Sequence, residues 1–149
     1  MRTLAFAAAA AVAAALLALA PDASAGARNA CLLVTAADAS KAVGAKVGSQ
    51  RHLSSDGFNT CVYTLGKVTL TVKTRPISHA GYVAAVKSIP GTALAATDIS
   101  AEAWVFFVTG GIALDDWQDG NELGLVAVNA GGGTELILAQ LAKAARSGL

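Results

Sequence analysis

The segment Lys67–Lys73 limits the possible folds more than any other, because it alternates strictly between apolar and polar residues. Valine or leucine occupies every second position, which is the period of a β-strand with one buried side and one side in water. The preceding segment Phe58–Leu65 is rich in β-branched and aromatic residues and is joined to it through Gly66. The two segments are therefore predicted to form a hairpin that needs an apolar layer against one face.

Three segments carry the start signals, stop signals and apolar spacing of amphipathic helices. They are residues 36–43, between the capping residue Thr35 and Gly44, residues 78–89, which end before Pro90, and residues 134–146. Each places apolar side chains three or four positions apart, so each can cover part of a sheet.

Three further apolar segments are predicted as strands: Ala103–Val108, Ala113–Gln118 and Asn121–Asn129, the last two joined by the Asp119-Gly120 turn. Residues 48–57 are interpreted as a polar loop and residues 92–100 as a linker. This order predicts an α+β fold. It is a two-layer domain in which an antiparallel sheet of about five strands carries three helices, packed mainly on one face.

The first 25 residues have the three parts of a secretory signal: a positive start, an apolar stretch and a small-residue cleavage site. Cleavage is predicted after Ala25 or Ala27. Residues 26–149 are then a single exported domain, periplasmic or extracellular, with no transmembrane segment. An uncleaved N-terminal anchor and lipidation of Cys31 are the alternatives. The formal net charge of +1 argues against a nucleic-acid partner, because there is no basic excess to neutralise phosphates.

Cys31 and Cys61 are the only cysteines of the sequence, and such a pair in an exported chain predicts a disulfide. Closing a loop of about 30 residues stabilises a fold by about 3–4 kcal/mol in the chain-entropy model. The sequence has no C-x-x-C motif and no histidines at metal-ligand spacing, so no metal site is expected.

Two segments resemble ligand-binding loops and fail in detail. Asp115–Glu122 places acidic residues around a glycine turn, but an EF-hand loop would need oxygen ligands where Trp117 and Val126 stand. Val128–Glu135 passes through three glycines into a helix and lacks both phosphate-loop signatures. They are interpreted as a hairpin turn and a helix lead-in. Because no nucleophile motif is present either, no catalytic residue and no cofactor are expected.

Four aromatic residues stand out on the predicted strands. Trp104 and Phe106 fall on one face of their strand, Phe107 falls on the other, and Trp117 lies on a neighbouring strand. If helices cover only one face of the sheet, part of this set is left on a surface, where aromatic clusters often mark binding sites. Packing in the core is the alternative interpretation.

The leading functional hypothesis is a non-enzymatic binding or interaction module that takes a small apolar ligand or another protein through the sheet. It rests on the missing catalytic motifs and on the aromatic set. The alternative is a hydrolase whose site is assembled from residues distant in sequence, such as His52, His79 and Asp115.

The cysteines also carry a resemblance. Cys31-Leu32-Leu33-Val34-Thr35 stands at a helix start, and Cys61-Val62-Tyr63 stands on the first predicted strand. In this pattern the chain resembles small exported bacterial domains of unknown function, in which a Cys-Leu-Leu-Thr helix start precedes a Cys-x-aromatic strand. Their Gly-Asp-x-Ala-Trp/Tyr pattern appears here as Ser100–Trp104, with the Gly and Asp replaced. The resemblance implies an envelope or secreted location and a disulfide, and it implies no activity.

Overall fold

The structure, a computed structural model, describes residues 28–149. The predicted signal peptide, residues 1–25, and the two predicted cleavage sites at Ala25 and Ala27 lie outside the described residues. Within the part that is described, no helix is both long enough and apolar enough to cross a membrane.

The described elements are four helices and seven strands. In chain order they are α1 (Ala30–Leu33), α2 (Ala36–Val43), β1 (Ser49–Ser55), β2 (Phe58–Leu65), β3 (Val68–Pro76), α3 (His79–Ser88), β4 (Ala93–Ala95), β5 (Trp104–Val108), β6 (Gly111–Gln118), β7 (Asn121–Val128) and α4 (Thr134–Arg146).

The strands form one antiparallel sheet in the order β1-β2-β3-β7-β6-β5-β4. Strands β1 to β3 make one meander and strands β4 to β7 make a second. The two meanders join where β3 pairs with β7, with Val72 opposite Leu125. Strands β1 and β4 are consequently the two edges of the sheet.

Helices α1, α2 and α4 pack on one face of the sheet, which we call the helical face. The apolar side of the alternating strand β3, Leu70 and Val72, points to this face and is fully buried. Helix α4 covers it with a stripe spaced three to four residues apart. The main members of this core are Val34, Cys61, Tyr63, Leu70, Val72, Leu114, Leu123, Leu125, Leu138, Leu141 and Ala145.

Helix α3 lies on the opposite face, which we call the open face, and covers only its β5–β6 side. Tyr82 of α3 is fully buried there, and its hydroxyl donates to the backbone oxygens of Glu102 at 2.5 Å and Asp115 at 3.2 Å. None of the helices in residues 28–149 lies over the other side of the open face, on β1, β2 and β3, which carries threonine and charged side chains such as Thr71 and Lys73.

Cys31 and Cys61 lie at disulfide distance, with an S–S separation of 2.01 Å, and the bond ties α1 to β2. The hydroxyl of Tyr63 donates to the backbone oxygen of Val34, close to the same junction. Burial, with a smaller contribution from the charge of Asp38, raises the pKa of Tyr63 to about 12. The phenol therefore stays neutral and keeps donating at physiological pH.

Helix α2 has the bounds that its end signals predict. The Thr35 hydroxyl accepts from the Asp38 amide at 3.2 Å, and an Asp38 carboxylate oxygen accepts from the Thr35 amide at 3.0 Å. These bonds form a capping box. The Thr35 hydroxyl is also 2.6 Å from the Asp38 carboxylate, and this side-chain bond, together with the one from the Thr35 amide, holds the pKa of Asp38 below its usual range. Gly44 ends the helix in the left-handed conformation at φ 74°.

The predicted five-stranded sheet with three helices mainly on one face is wrong, because the sheet has seven strands and the four helices occupy both faces. Residues 49–55 form β1, although they were interpreted as a loop. All seven are exposed, so their pairing with β2 rests on backbone hydrogen bonds and leaves no apolar period to detect. The predicted linker contains the three-residue strand β4, and α1 is a single turn before the first predicted helix.

Candidate functional site

The four aromatic residues singled out in the sequence divide between the two faces. Trp104, Phe106 and Trp117 point to the open face beneath or beside α3, whereas Phe107 points to the helical face at the sheet edge. Phe106 is 2% exposed and Phe107 is 66% exposed. Phe106 is thus a core residue, and the two tryptophans and Phe107 are the members that solvent can reach.

A cavity of about 270 Å³ lies between α3 and strands β4 and β5, and we call it the α3 cavity. Its walls are mainly apolar, and the half-buried Trp104 is its aromatic wall. The polar side chains that reach it are Lys87 and Glu102. The full lining is Val83, Val86, Lys87, Ile89, Gly91, Ala93, Glu102 and Trp104.

Local sequence explains why α3 stands over this side of the sheet. The Ser78 hydroxyl caps the helix by accepting from the Gly81 amide at 3.1 Å. The indole Nε1 of Trp117 donates to the Ile77 backbone oxygen at 3.0 Å, which fixes the chain before the helix. Tyr82 then bonds two separate backbone oxygens, so the helix is anchored at both its start and its first turn. Burial, reinforced by nearby carboxylates, raises the pKa of Tyr82 and keeps its hydroxyl a donor.

Beside α3, charged and aromatic residues stand in two cross-strand rows on the open face, which we call the charged rows. One row consists of Trp117, Glu122 and Arg75, and the next consists of Trp104, Asp115, Gly124 and Lys73. Side chains opposite each other on paired strands are close enough to interact directly. Each row therefore runs from an aromatic to an acidic to a basic position, the first over three strands and the second over four, with Gly124 between its acid and its base.

The acidic and basic residues of the first charged row form an ion pair. Arg75 Nε donates to Glu122 Oε2 at 2.6 Å, and the Glu122 side chain is only 6% exposed. The Arg75 guanidinium also lies 4.3 Å from the centroid of the Phe58 ring, and the Lys73 ammonium lies 5.1 Å from it. Both cations thus meet an aromatic face, which is a favourable arrangement.

The second charged row contains an acid without such a partner. Asp115 is 6% exposed, and within residues 28–149 its carboxylate accepts no hydrogen bond and forms no ion pair within 4.0 Å. Burial is the main cause that raises its pKa to about 6, partly offset by the charge of Lys73. A carboxyl in such a state exchanges its proton close to neutral pH.

Phe107 lies in a separate groove of about 350 Å³ on the helical face, next to the start of α4. Leu94, Val105 and Ile112 line this groove together with Glu135. Leu94 is 48% exposed, so this edge of the sheet presents apolar surface to solvent.

The three residues of the hydrolase hypothesis are not brought together. His52 lies on the edge strand β1, where its Nε2 is 3.0 Å from Asn59 Oδ1, and it is on the helical face. Asp115 lies on the open face, four strand spacings or about 19 Å away across the sheet. His79 begins α3, with Nε2 2.9 Å from Glu102 Oε2 and its ring 4.9 Å from that of Trp117.

The acidic segment Asp115–Glu122, which resembles a ligand-binding loop, is accounted for by structural contacts. Asp119 and Gly120 form the β6–β7 turn with φ values of 49° and 83°, as a tight hairpin turn requires. Asp116 points away from Asp115, to the helical face, where it binds Arg146 and accepts from the Ser100 hydroxyl at 2.5 Å. In the described part of the chain, no group of three or more His, Cys, Asp and Glu residues is arranged to hold a metal ion.

Sequence reasoning missed the charged rows. The sequence pattern places Lys73 only on the polar side of its strand and Glu122 only in the segment around the Asp119-Gly120 turn, and Arg75 lies beyond the end of the predicted strand. Gly124 was the available signal, because a glycine inside an apolar strand often marks a place where other groups approach closely.

Comparisons with protein-family models, with curated proteins and with solved structures each find no match. The functional argument therefore depends on the geometry of the chain itself.

Proposed function

We propose that this chain is an exported, non-enzymatic binding domain that takes a small apolar molecule into the α3 cavity. The observation that carries the proposal is the cavity itself, which has apolar walls, one tryptophan and few polar groups. Small-molecule sites typically have this composition.

The size of the cavity indicates the size of the ligand. A cavity of about 150 Å³ lined by apolar side chains accommodates benzene. The α3 cavity of about 270 Å³ is therefore suited to a ligand of about two fused rings. Lys87 and Glu102 are the charged residues of its lining, so they are the ones that would orient a polar group of such a ligand.

The disulfide and the leader-like N-terminus support the exported location, because paired cysteines persist in oxidising compartments. Binding of a partner protein stays a prediction, and the groove around Phe107 is the surface at which it would be examined.

The test is a calorimetric titration of the purified protein with 1-naphthol, with the indole N–H of Trp104 followed by NMR. We expect saturable binding with a Kd on the order of 0.1–1 mM, which corresponds to about 0.4–0.5 kcal/mol per ligand heavy atom. Val86→Phe fills the cavity and should abolish binding. Phe107→Ser, which changes the separate groove, should leave the Kd unchanged.

Two results would overturn the proposal. The first is that Val86→Phe binds 1-naphthol with the affinity of the unchanged protein. The second is that Phe107→Ser loses binding and that 1-naphthol does not shift the Trp104 indole signal of the unchanged protein. A normal unfolding transition of Val86→Phe must accompany its loss of binding, because an overpacked helix could otherwise mimic the result.

A further inference from the structure

An anion and a cation meet above Gly124 without pairing. Asp115 Oδ1 and Lys73 Cε both lie within 3.0 Å of the position that a Cβ on Gly124 would take. Yet within residues 28–149 the Lys73 ammonium has no ion-pair partner within 4.0 Å, and it lies over the Phe58 ring. The absence of a glycine side chain is what allows the two groups to approach.

The register of the sheet explains why these two groups stay apart. Arg75 and Glu122 are direct neighbours on the paired strands β3 and β7 and pair at 2.6 Å, whereas Lys73 and Asp115 stand on β3 and β6 with Gly124 of β7 between them. Buried charges are normally paired or hydrogen-bonded, because an unpaired charge loses its hydration without compensation. Asp115, which is 6% exposed, departs from this rule. The Asp115 oxygens are not among the unpartnered side-chain atoms that are sealed from solvent, so a donor can reach them from outside, and the Lys73 ammonium has donors to give.

We propose that Asp115 and Lys73 are the two poles of a binding site for a small zwitterion. The ammonium of the ligand binds the Asp115 carboxylate, and the carboxylate of the ligand binds the Lys73 ammonium. A cation alone would leave Lys73 without an acceptor, and an anion alone would face the negative charge of Asp115. A molecule with both charges offers a partner to each group.

The surroundings fit a zwitterion that also has an apolar part. Phe58 stands beside Lys73 and Arg75, and Trp104 is the cross-strand neighbour of Asp115. Lys73 is half-buried, so its flexible stem can move aside to admit a ligand. Tyr82 binds the backbone oxygen of Asp115 on the side of α3. The site adjoins the α3 cavity at Trp104, but neither Asp115 nor Lys73 lines that cavity.

The experiment compares three probes that share one ring and differ only in charge: L-phenylalanine, phenethylamine and 3-phenylpropanoate. Each is titrated at pH 7.5 into ¹⁵N-labelled protein, and binding is read at the backbone amide of Gly124. We expect L-phenylalanine to bind at least ten-fold more tightly than either singly charged probe.

Two isosteric variants assign the poles. Asp115→Asn should weaken L-phenylalanine binding to the level of 3-phenylpropanoate, and Lys73→Met should weaken it to the level of phenethylamine. Lys143→Met is the matched control, because this lysine is exposed on the helical side near Asp98. It should change nothing.

The proposal is overturned if no probe moves the Gly124 amide, if the three probes bind alike, or if Asp115→Asn retains the affinity for L-phenylalanine. Val86→Phe separates the two sites, because it should leave L-phenylalanine binding intact while abolishing 1-naphthol binding. If Val86→Phe abolishes the binding of both, the zwitterion occupies the α3 cavity and the site above Gly124 is refuted.

Discussion

Replacing Asp115 with asparagine should stabilise the protein at neutral and alkaline pH. Asp115 is 6% exposed and none of residues 28–149 donates a hydrogen bond to its carboxylate, so ionisation is costly in the folded state. Burial raises the pKa of Asp115 from 3.8 to about 6. One pKa unit corresponds to 1.36 kcal/mol, so the ionised group costs the fold about 3 kcal/mol when fully charged.

The sign follows from proton linkage. Because the folded-state pKa is above the unfolded value, the folded protein holds the proton more tightly between pH 4 and 6. The stability contributed by protonated Asp115 is therefore present below about pH 4 and is lost as the pH rises through 6. Asparagine cannot ionise, so the Asp115→Asn variant does not lose this stability as the pH rises.

The assay is urea unfolding of both proteins at pH 4 and pH 8. At each pH, the unfolding free energy of the unchanged protein is subtracted from that of Asp115→Asn. This gain in stability should be about 2–3 kcal/mol larger at pH 8 than at pH 4. Asp119→Asn, an isosteric change in the exposed β6–β7 turn, is the matched control. If Asp115→Asn is destabilising at pH 8, or if its effect is the same at both pH values, then the carboxylate has a compensating partner and the reasoning fails.

Gly111→Ala should lower the unfolding free energy by about 2–3 kcal/mol in urea titrations, because the added Cβ would collide with the backbone of β7. Gly132→Ala is the control and should be close to neutral, because a Cβ at that position would have no other atom within 4 Å. Thr74→Val should raise the midpoint of urea unfolding by an amount equivalent to about 1 kcal/mol, because the buried Thr74 hydroxyl has no hydrogen-bond partner within residues 28–149. A loss of stability would instead reveal a water bound to this hydroxyl. Replacing Cys31 and Cys61 with serine should cost about 3–4 kcal/mol, and reductant should reproduce the loss in the unchanged protein but leave the variant unaffected.

Some elements were predictable because local chemistry determines them. The alternation of β3 reflects a real difference between its two sides, with Leu70 and Val72 in the core and Lys73 on the open face. The capping residue Thr35 and the turn residues Asp119 and Gly120 likewise act through bonds or φ values that depend on their own identity.

Other features depend on partners distant in sequence and could not be predicted from local patterns. Strand β1 is held by the backbone of β2 and has no buried side chain, so its composition matches that of a loop. The position of α3 depends on Tyr82 reaching the backbone oxygen of Asp115, which lies 33 residues later in the chain, on β6. The distance between Asp115 and Lys73 likewise depends on the β3–β7 register, which places Lys73 opposite Gly124 and so near Asp115.

The junction between the two meanders has a consequence for how the chain reaches its fold. Within each meander, neighbouring strands are joined by short connections, so their contacts close small loops. The β3–β7 pairing instead joins residues such as Val72 and Leu125, with all of α3 and three strands between them. Loop-closure entropy is largest for such a contact, and folding rates fall as distant contacts dominate. We therefore expect docking of the two meanders at β3 and β7 to be the step that sets the folding rate.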